Sequence, residues 1–152
     1  MCGQVREQVR GHVCGQVCER VRGWVGGCSA DGRARLLRSP FWLPKEWEAA
    51  LHRRASGLYL NQGYPLTLSE ELVFHLPSKA QVGSFPSRRE GKTEALQWSI
   101  EWATVGQETL VAKLHAELRR GECPASDTPG LQNQVRALLA ALAGSASYTL
   151  AP

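Results

Sequence analysis

The chain contains no long hydrophobic run. Its longest apolar stretch, Val135 to Ala143, is interrupted by Arg136 and falls well short of the ~20 residues a membrane-spanning helix requires. The N-terminal region lacks the apolar core of a secretory signal, because Arg, Gln, Glu and Gly interrupt every valine. Cysteine is scarce and badly placed for a disulfide framework. The five residues Cys2, Cys14, Cys18, Cys28 and Cys123 are an odd number, and four of them lie in a low-complexity segment. These absences point to an intracellular protein, cytoplasmic or nuclear, with no membrane partner. A complete catalytic, metal or cofactor motif is also missing, so the expectation is a protein that is not an enzyme and has no cofactor.

The charge that is present is unevenly distributed. Of a net +4 over 152 residues, all belongs to the segment ending at Pro40, where seven arginines stand against Glu7, Glu19 and Asp31. Residues 41–152 carry eleven bases and eleven acids. A polyanionic partner is therefore a matter for residues 1–40 alone.

That segment is an internal repeat. Val5, Val9, Val13, Val17, Val21 and Val25 recur every fourth residue, in units reading GQVR, EQVR, GHVC, GQVC, ERVR and GWVG. The exchanges between units are single-base changes, which fits a tandem twelve-base unit read in translation. A period of four drifts around an α-helix by about 40° per unit, so the valines form no stripe. In a strand they would share a face with Glu7, Gly11, Gly15, Glu19 and Gly23, which breaks the apolar alternation. The expectation is a disordered or frayed-helical arm. Cys14 and Cys18, with three residues between them, could pair on zinc with His12 as a third ligand and Cys28 as a distant fourth, but a zinc site needs a second pair and each cysteine is one base from an arginine codon, so no metal is expected. Arg6, Arg10, Arg20 and Arg22 are the candidate contacts to nucleic-acid phosphates.

From Phe41 the sequence acquires local consistency, and residues 41–144 read as a small globular segment followed by a flexible tail at 145–152. Pro44 suits the first turn of a helix through Trp47, Leu51 and Ala55, ended by Gly57. Leu58, Tyr59 and Leu60 read as a brief extended piece. Thr67 and Glu70 form a capping-box pattern ahead of Leu72, Val73, Phe74 and Leu76, which predicts a second helix stopped by Pro77. Ser78 to Lys92 reads as a loop or an irregular hairpin arm around Val82 and Phe85. Leu96, Trp98, Ile100 and Trp102 alternate with Gln97, Ser99, Glu101 and Ala103, which predicts a strand. Helices are expected at Thr109 to Arg120, on Leu110, Val111, Leu114 and Leu118, and at Leu131 to Ala143, on Leu131, Val135, Leu138, Leu139 and Leu142.

The candidate chemistry is thin. Gly91, Lys92 and Thr93 spell the end of a phosphate-binding loop, but its first glycine should stand where Pro86 does. His52, His75 and His115 have no partner at a useful spacing. Glu46, Glu48, Glu70 and Glu71 sit where helix starts are expected and read as capping groups. Arg53, Arg54, Ala55 and Ser56 match the short pattern of a phosphorylation site. Cys123, beside Pro124, reads as a free thiol in a turn. Trp24, Trp42, Trp47, Trp98 and Trp102 are candidate anchors, with Trp42 the one expected at the surface.

The resulting expectation is an α+β, mostly helical small domain with at most one or two short strands behind the N-terminal arm. Since a lone strand forms no sheet, strands must lie elsewhere or the segment is a piece of a larger domain. The functional expectation is a non-enzymatic protein–protein interaction module docking through the leucine-rich helices, with Leu110, Leu114, Leu118, Leu131, Val135, Leu138 and Leu142 at the contact. The alternatives are weak nucleic-acid binding by the arm, or a translated repeat-containing or truncated reading frame with no selected function.

Overall fold

The computed structural model describes residues 6–13, 16–23, 27–28, 34–38, 41, 43, 47, 51, 58–59 and 66–150, with backbone alone at 58–59, at 66 and in the strand residues before Ala34. Among these residues the strands are β1 (Arg6–Val13), β2 (Gln16–Gly23), β3 (Gly27–Cys28), β4 (Ala34–Arg38), β5 (Leu58–Tyr59), β6 (Leu66–His75), β7 (Ala80–Val82), β8 (Arg89–Lys92), β9 (Leu96–Thr104), β10 (Thr109–Leu118), β11 (Glu122–Cys123) and β12 (Ser145–Leu150). The helix α1 (Thr128–Leu142) precedes β12. The described structure is therefore mostly β, and the mostly helical expectation is wrong.

Six strands form one antiparallel sheet in the order β2-β1-β6-β10-β9-β8, and four form a second in the order β3-β4-β12-β7. A short pair, β11 and β5, completes the pairing. The strand expected from Leu96 to Ala103 is β9, and its burial alternates as its sequence does. The helix expected from Leu131 is α1, entered through Pro129, which has no N–H to leave unpaired in the first turn.

The other elements depart from the expectation for a shared physical reason. Spacings of four and eight satisfy a strand's period of two as well as a helix's period of 3.6. Leu110, Leu114 and Leu118, expected on a helix, lie with Ala112 and Ala116 on one buried face of β10. Residues 67–75 of the segment expected as a helix belong to β6, with Leu68, Leu72 and Phe74 buried on the face that Glu70 shares. The N-terminal repeat, expected as disordered or frayed helix, contributes β1 and β2, and β1 pairs with β6 along its whole length. Even glycine-containing units suffice there, because β1 gains a ladder on each side. Residues 145–150, within the segment read as a tail, form β12, which lies between β4 and β7 and buries Ala146 and Tyr148. Of the helix expected after Pro44, Trp47 is helical, and most of its other residues lie outside the described ones.

One face of the large sheet is covered twice. Helix α1 lies over the β8–β9 end, where Leu131, Val135, Leu138 and Ala141 meet Leu96, Trp98, Ile100, Leu114, Ala116 and Leu118. The small sheet covers the other part, bringing Leu37, Ala146 and Tyr148 against Leu72, Phe74, Trp102, Leu110 and Ala112. Each such leucine stabilises the fold by roughly 1.5–3 kcal/mol relative to exposure. Phe74 and Trp102 stack with ring centroids 5.8 Å apart. The β12–β7 ladder continues past Val82, where the Ser147 N–H donates to the Ser84 carbonyl at 2.7 Å and the Gly83 N–H donates to the Ser147 carbonyl at 2.9 Å.

The turn between β6 and β7 carries backbone strain. Lys79 has φ of 68°, in the left-handed region, while the Ala80 N–H donates to the Pro77 carbonyl at 3.0 Å. Lys79→Gly is expected to stabilise the protein by roughly 0.5–1 kcal/mol, the relief of a side chain in that region less glycine's added unfolded-state entropy. The urea midpoint measures it, and an unchanged or lower midpoint would contradict the strain.

Candidate functional site

The opposite face of the large sheet presents alternating side chains of β6, β10 and β9. Ser69, Glu71, Val73, Thr109, Glu117, Gln97, Ser99 and Glu101 are half-buried, and His75, Lys113, His115 and Ala103 are exposed. Val111 is buried on this face, beside Val73 and Ala103 in the register. Val105, in the turn that follows β9, is 60% exposed. A hollow of about 370 Å³ runs over this apolar group and is lined by Glu71, Val73, Glu101, Ala103, Val105 and Val111, with Thr109 and Lys113 at its side. A second hollow adjoins it and shares Glu71, Glu101 and Lys113.

The charges of this face are paired, Lys113 across strands and Arg88 both within its own segment and toward β9. Lys113 Nζ lies 3.3 Å from Glu71, and Arg88 lies 2.9 Å from Glu90 and 3.9 Å from Glu101. All of these groups are solvent-exposed to a large degree, so each pair contributes only ~0–1 kcal/mol and is screened by salt.

A third hollow, of about 320 Å³, opens at the start of α1 between Thr93, Glu94, Arg120, Cys123, Asp127 and Leu131. An Arg120–Glu94 ion pair of 2.8 Å stands at this hollow. Burial pushes the Cys123 thiol above its ordinary pKa, aided by the Asp127 carboxylate and opposed by a hydrogen bond from Thr128 and by Arg120. Such a thiol is a poor nucleophile at neutral pH. Cys123 is free, as the sequence suggested, but lies in β11 rather than in a turn and is buried in the core.

The residues singled out by the sequence scatter. Leu114, Leu118, Leu131, Val135 and Leu138 are buried in the cluster under α1, Leu110 is buried in the cluster under the small sheet, and Leu142 packs partly buried on the margin. Antiparallel register puts positions 6 and 10 on one face of the ladder and positions 20 and 22 on the other. The same register separates positions 12 and 18 onto opposite faces, and Cys28 belongs to the other sheet. Among the described residues no three His, Cys, Asp or Glu side chains gather as a metal site. His52, Glu46, Glu48, Arg53 to Ser56, Trp24 and Trp42 lie outside the described residues.

Gly91, Lys92 and Thr93 have a structural use. Gly91 stands opposite Trp98, and the indole N–H of Trp98 donates to Gln134 on α1 at 3.0 Å across the space a side chain at 91 would fill. Thr93 closes the β8–β9 turn: its N–H donates to the Leu96 carbonyl at 2.7 Å, and its hydroxyl accepts the Leu96 N–H at 3.0 Å.

The open face escaped the sequence reading because β6 and β10, two of its strands, were read as helices. The signal was present in the even positions 68, 72, 74 and 76, and Glu70 among them disguised it as a capping group. Among the described residues no helix is long and apolar enough to cross a membrane. No family model, no curated protein and no solved structure matches this chain.

Proposed function

We propose that the chain is a non-enzymatic interaction protein that meets another protein through the open face of its six-stranded sheet, at the patch of Val73, Ala103, Val105 and Val111. The observation that carries this reading is Val105, 60% exposed at the rim of an apolar hollow whose sides are charged. An apolar centre with a polar rim is the usual anatomy of a protein contact. The buried, poorly nucleophilic Cys123 thiol supports the non-enzymatic part.

A photo-crosslinking residue placed at Val105 is expected to trap one discrete partner in cells, while the same residue at Ala137, exposed on α1, traps none. Val73→Asp should abolish the adduct while leaving the thermal melt in place, because Val73 is only half-buried. Equal trapping at both positions, or none at Val105, would overturn the reading.

A further inference from the structure

We propose that the partner met by the open face is a second copy of this chain, in a two-fold pair whose axis runs along the strands between β10 and β9, an inference that rests on the docking reading above. Four side chains of alternating sign cross this face in one row: Glu71 on β6, Lys113 on β10, Glu101 on β9 and Arg88 just before β8. Lys113 stands opposite both Glu71 and Glu101 in the ladder. Its ammonium lies 3.3 Å from Glu71, and Arg88 lies 3.9 Å from Glu101.

The order of the signs selects the occupant. In a two-fold contact residue i of one copy meets j of the other, and j meets i. An axis along the strands reverses the order of the strands and keeps each position along them. Reversing a row that reads minus, plus, minus, plus gives the opposite sign at every place. Lys113 of each copy therefore meets Glu101 of the other, and Glu71 meets Arg88, whereas a row of one sign would repel itself.

The apolar residues obey the same operation. Val111 and Ala103 stand opposite each other, two residues along from Lys113 and Glu101, so the larger side chain of each copy lies over the smaller one of the other. The Val105 N–H donates to the Thr109 carbonyl at 2.8 Å, which sets Val105 of one copy over Thr109 of the other, at the side of the hollow of about 370 Å³. A residue 60% exposed in the single chain thus gains a seat. Sheets stack face to face at ~10 Å with their strands turned by ~30°, which admits this contact. Four strands ~4.8 Å apart and ~30 Å long offer roughly 600 Å² in plan, the low end of the ~600–1,000 Å² per partner buried in specific pairs. The pair is accordingly weak and reversible.

Sedimentation of the full chain over a range of concentrations tests this. The parent is expected to pass from one copy to two as concentration rises. Lys113→Glu sets like charges against each other twice in each pair, and so does Glu101→Lys. Each variant alone should dimerise about tenfold more weakly than the parent, with its thermal melt nearly unchanged, because both side chains are about half exposed. An equimolar mixture of the two variants restores opposite signs at every contact and should recover the parent affinity within about threefold. Single variants that dimerise as the parent does, a mixture no tighter than either variant, or a parent that stays monomeric would each overturn the second copy. A Val105 photo-adduct with a different protein would remove the second copy and leave the docking patch standing, whereas no adduct and no dimer would remove both.

Discussion

Leu114→Asp and Leu138→Asp are each expected to abolish the native fold, with loss of a cooperative thermal transition and of the far-ultraviolet signature of the folded chain. The two leucines are 1% and 0% exposed and belong to the same cluster, one from β10 and one from α1. Each substitution removes a packed side chain, at about 2–5 kcal/mol, and forces a carboxyl into an apolar site, at a further several kcal/mol. Total stabilities of domains are ~5–15 kcal/mol, so little or nothing remains. Leu114→Ala and Leu138→Ala should remain folded with lowered midpoints, since they lack the carboxyl. A Leu114→Asp protein with an unchanged melt would instead place that leucine at the surface and remove the register of β10.

Gly91→Ala should cost about 2–4 kcal/mol, the sum of overpacking and one weakened hydrogen bond. The added Cβ would stand 2.5 Å from Trp98 Nε1 and 2.7 Å from Trp98 Cε2, and would overlap the Gln134 oxygen. Gln134 can swing aside, whereas the indole is packed at 3% exposure and cannot. A double-mutant cycle separates the two contributions: in a Gln134→Ala background the cost of Gly91→Ala should fall by roughly 1 kcal/mol. Strict additivity of the two substitutions would mean that position 91 and Gln134 do not touch. The destabilised variant should show its earliest loss of protection in β8, which is tied to the rest of the sheet along β9.

These two results bear on how much the sequence discloses. Strand β9 and helix α1 were legible because each has a pattern that favours it over its rival, although Trp98 and Trp102, four apart, would also share a helix face. Four alternating apolar residues from Leu96 to Trp102, with polar residues between, favour a half-buried strand. Leu131, Val135, Leu138 and Leu142 include a spacing of three, which a strand would place on opposite faces. Strand β10 was not legible, since Leu110, Leu114 and Leu118 suit both periods and only Ala112 and Ala116, small residues buried under the small sheet and α1, reveal the alternation. Strand β6 was masked by Glu70, a charged residue on the buried face.

The N-terminal repeat shows the same division. Its charge and its four-residue period are properties of the sequence and exclude an amphipathic helix. That it forms two strands depends on a neighbour, because β1 is held between β2 and the edge of β6. Isolated hairpins are marginal in water, and a third strand with a covered face changes that balance.

The sequence by itself determined the location of the net charge, the repeat, and the two elements whose periodicity favours one backbone form. The tertiary structure decided the fold class, the burial of the leucines that looked available for docking, and the face left open. The physical reason is that a spacing of four or eight satisfies both backbone periods, so the choice between helix and strand passes to the partners available for hydrogen bonding and burial. For β6 and β10 those partners lie far away in the chain or across a turn, where local periodicity carries no information about them.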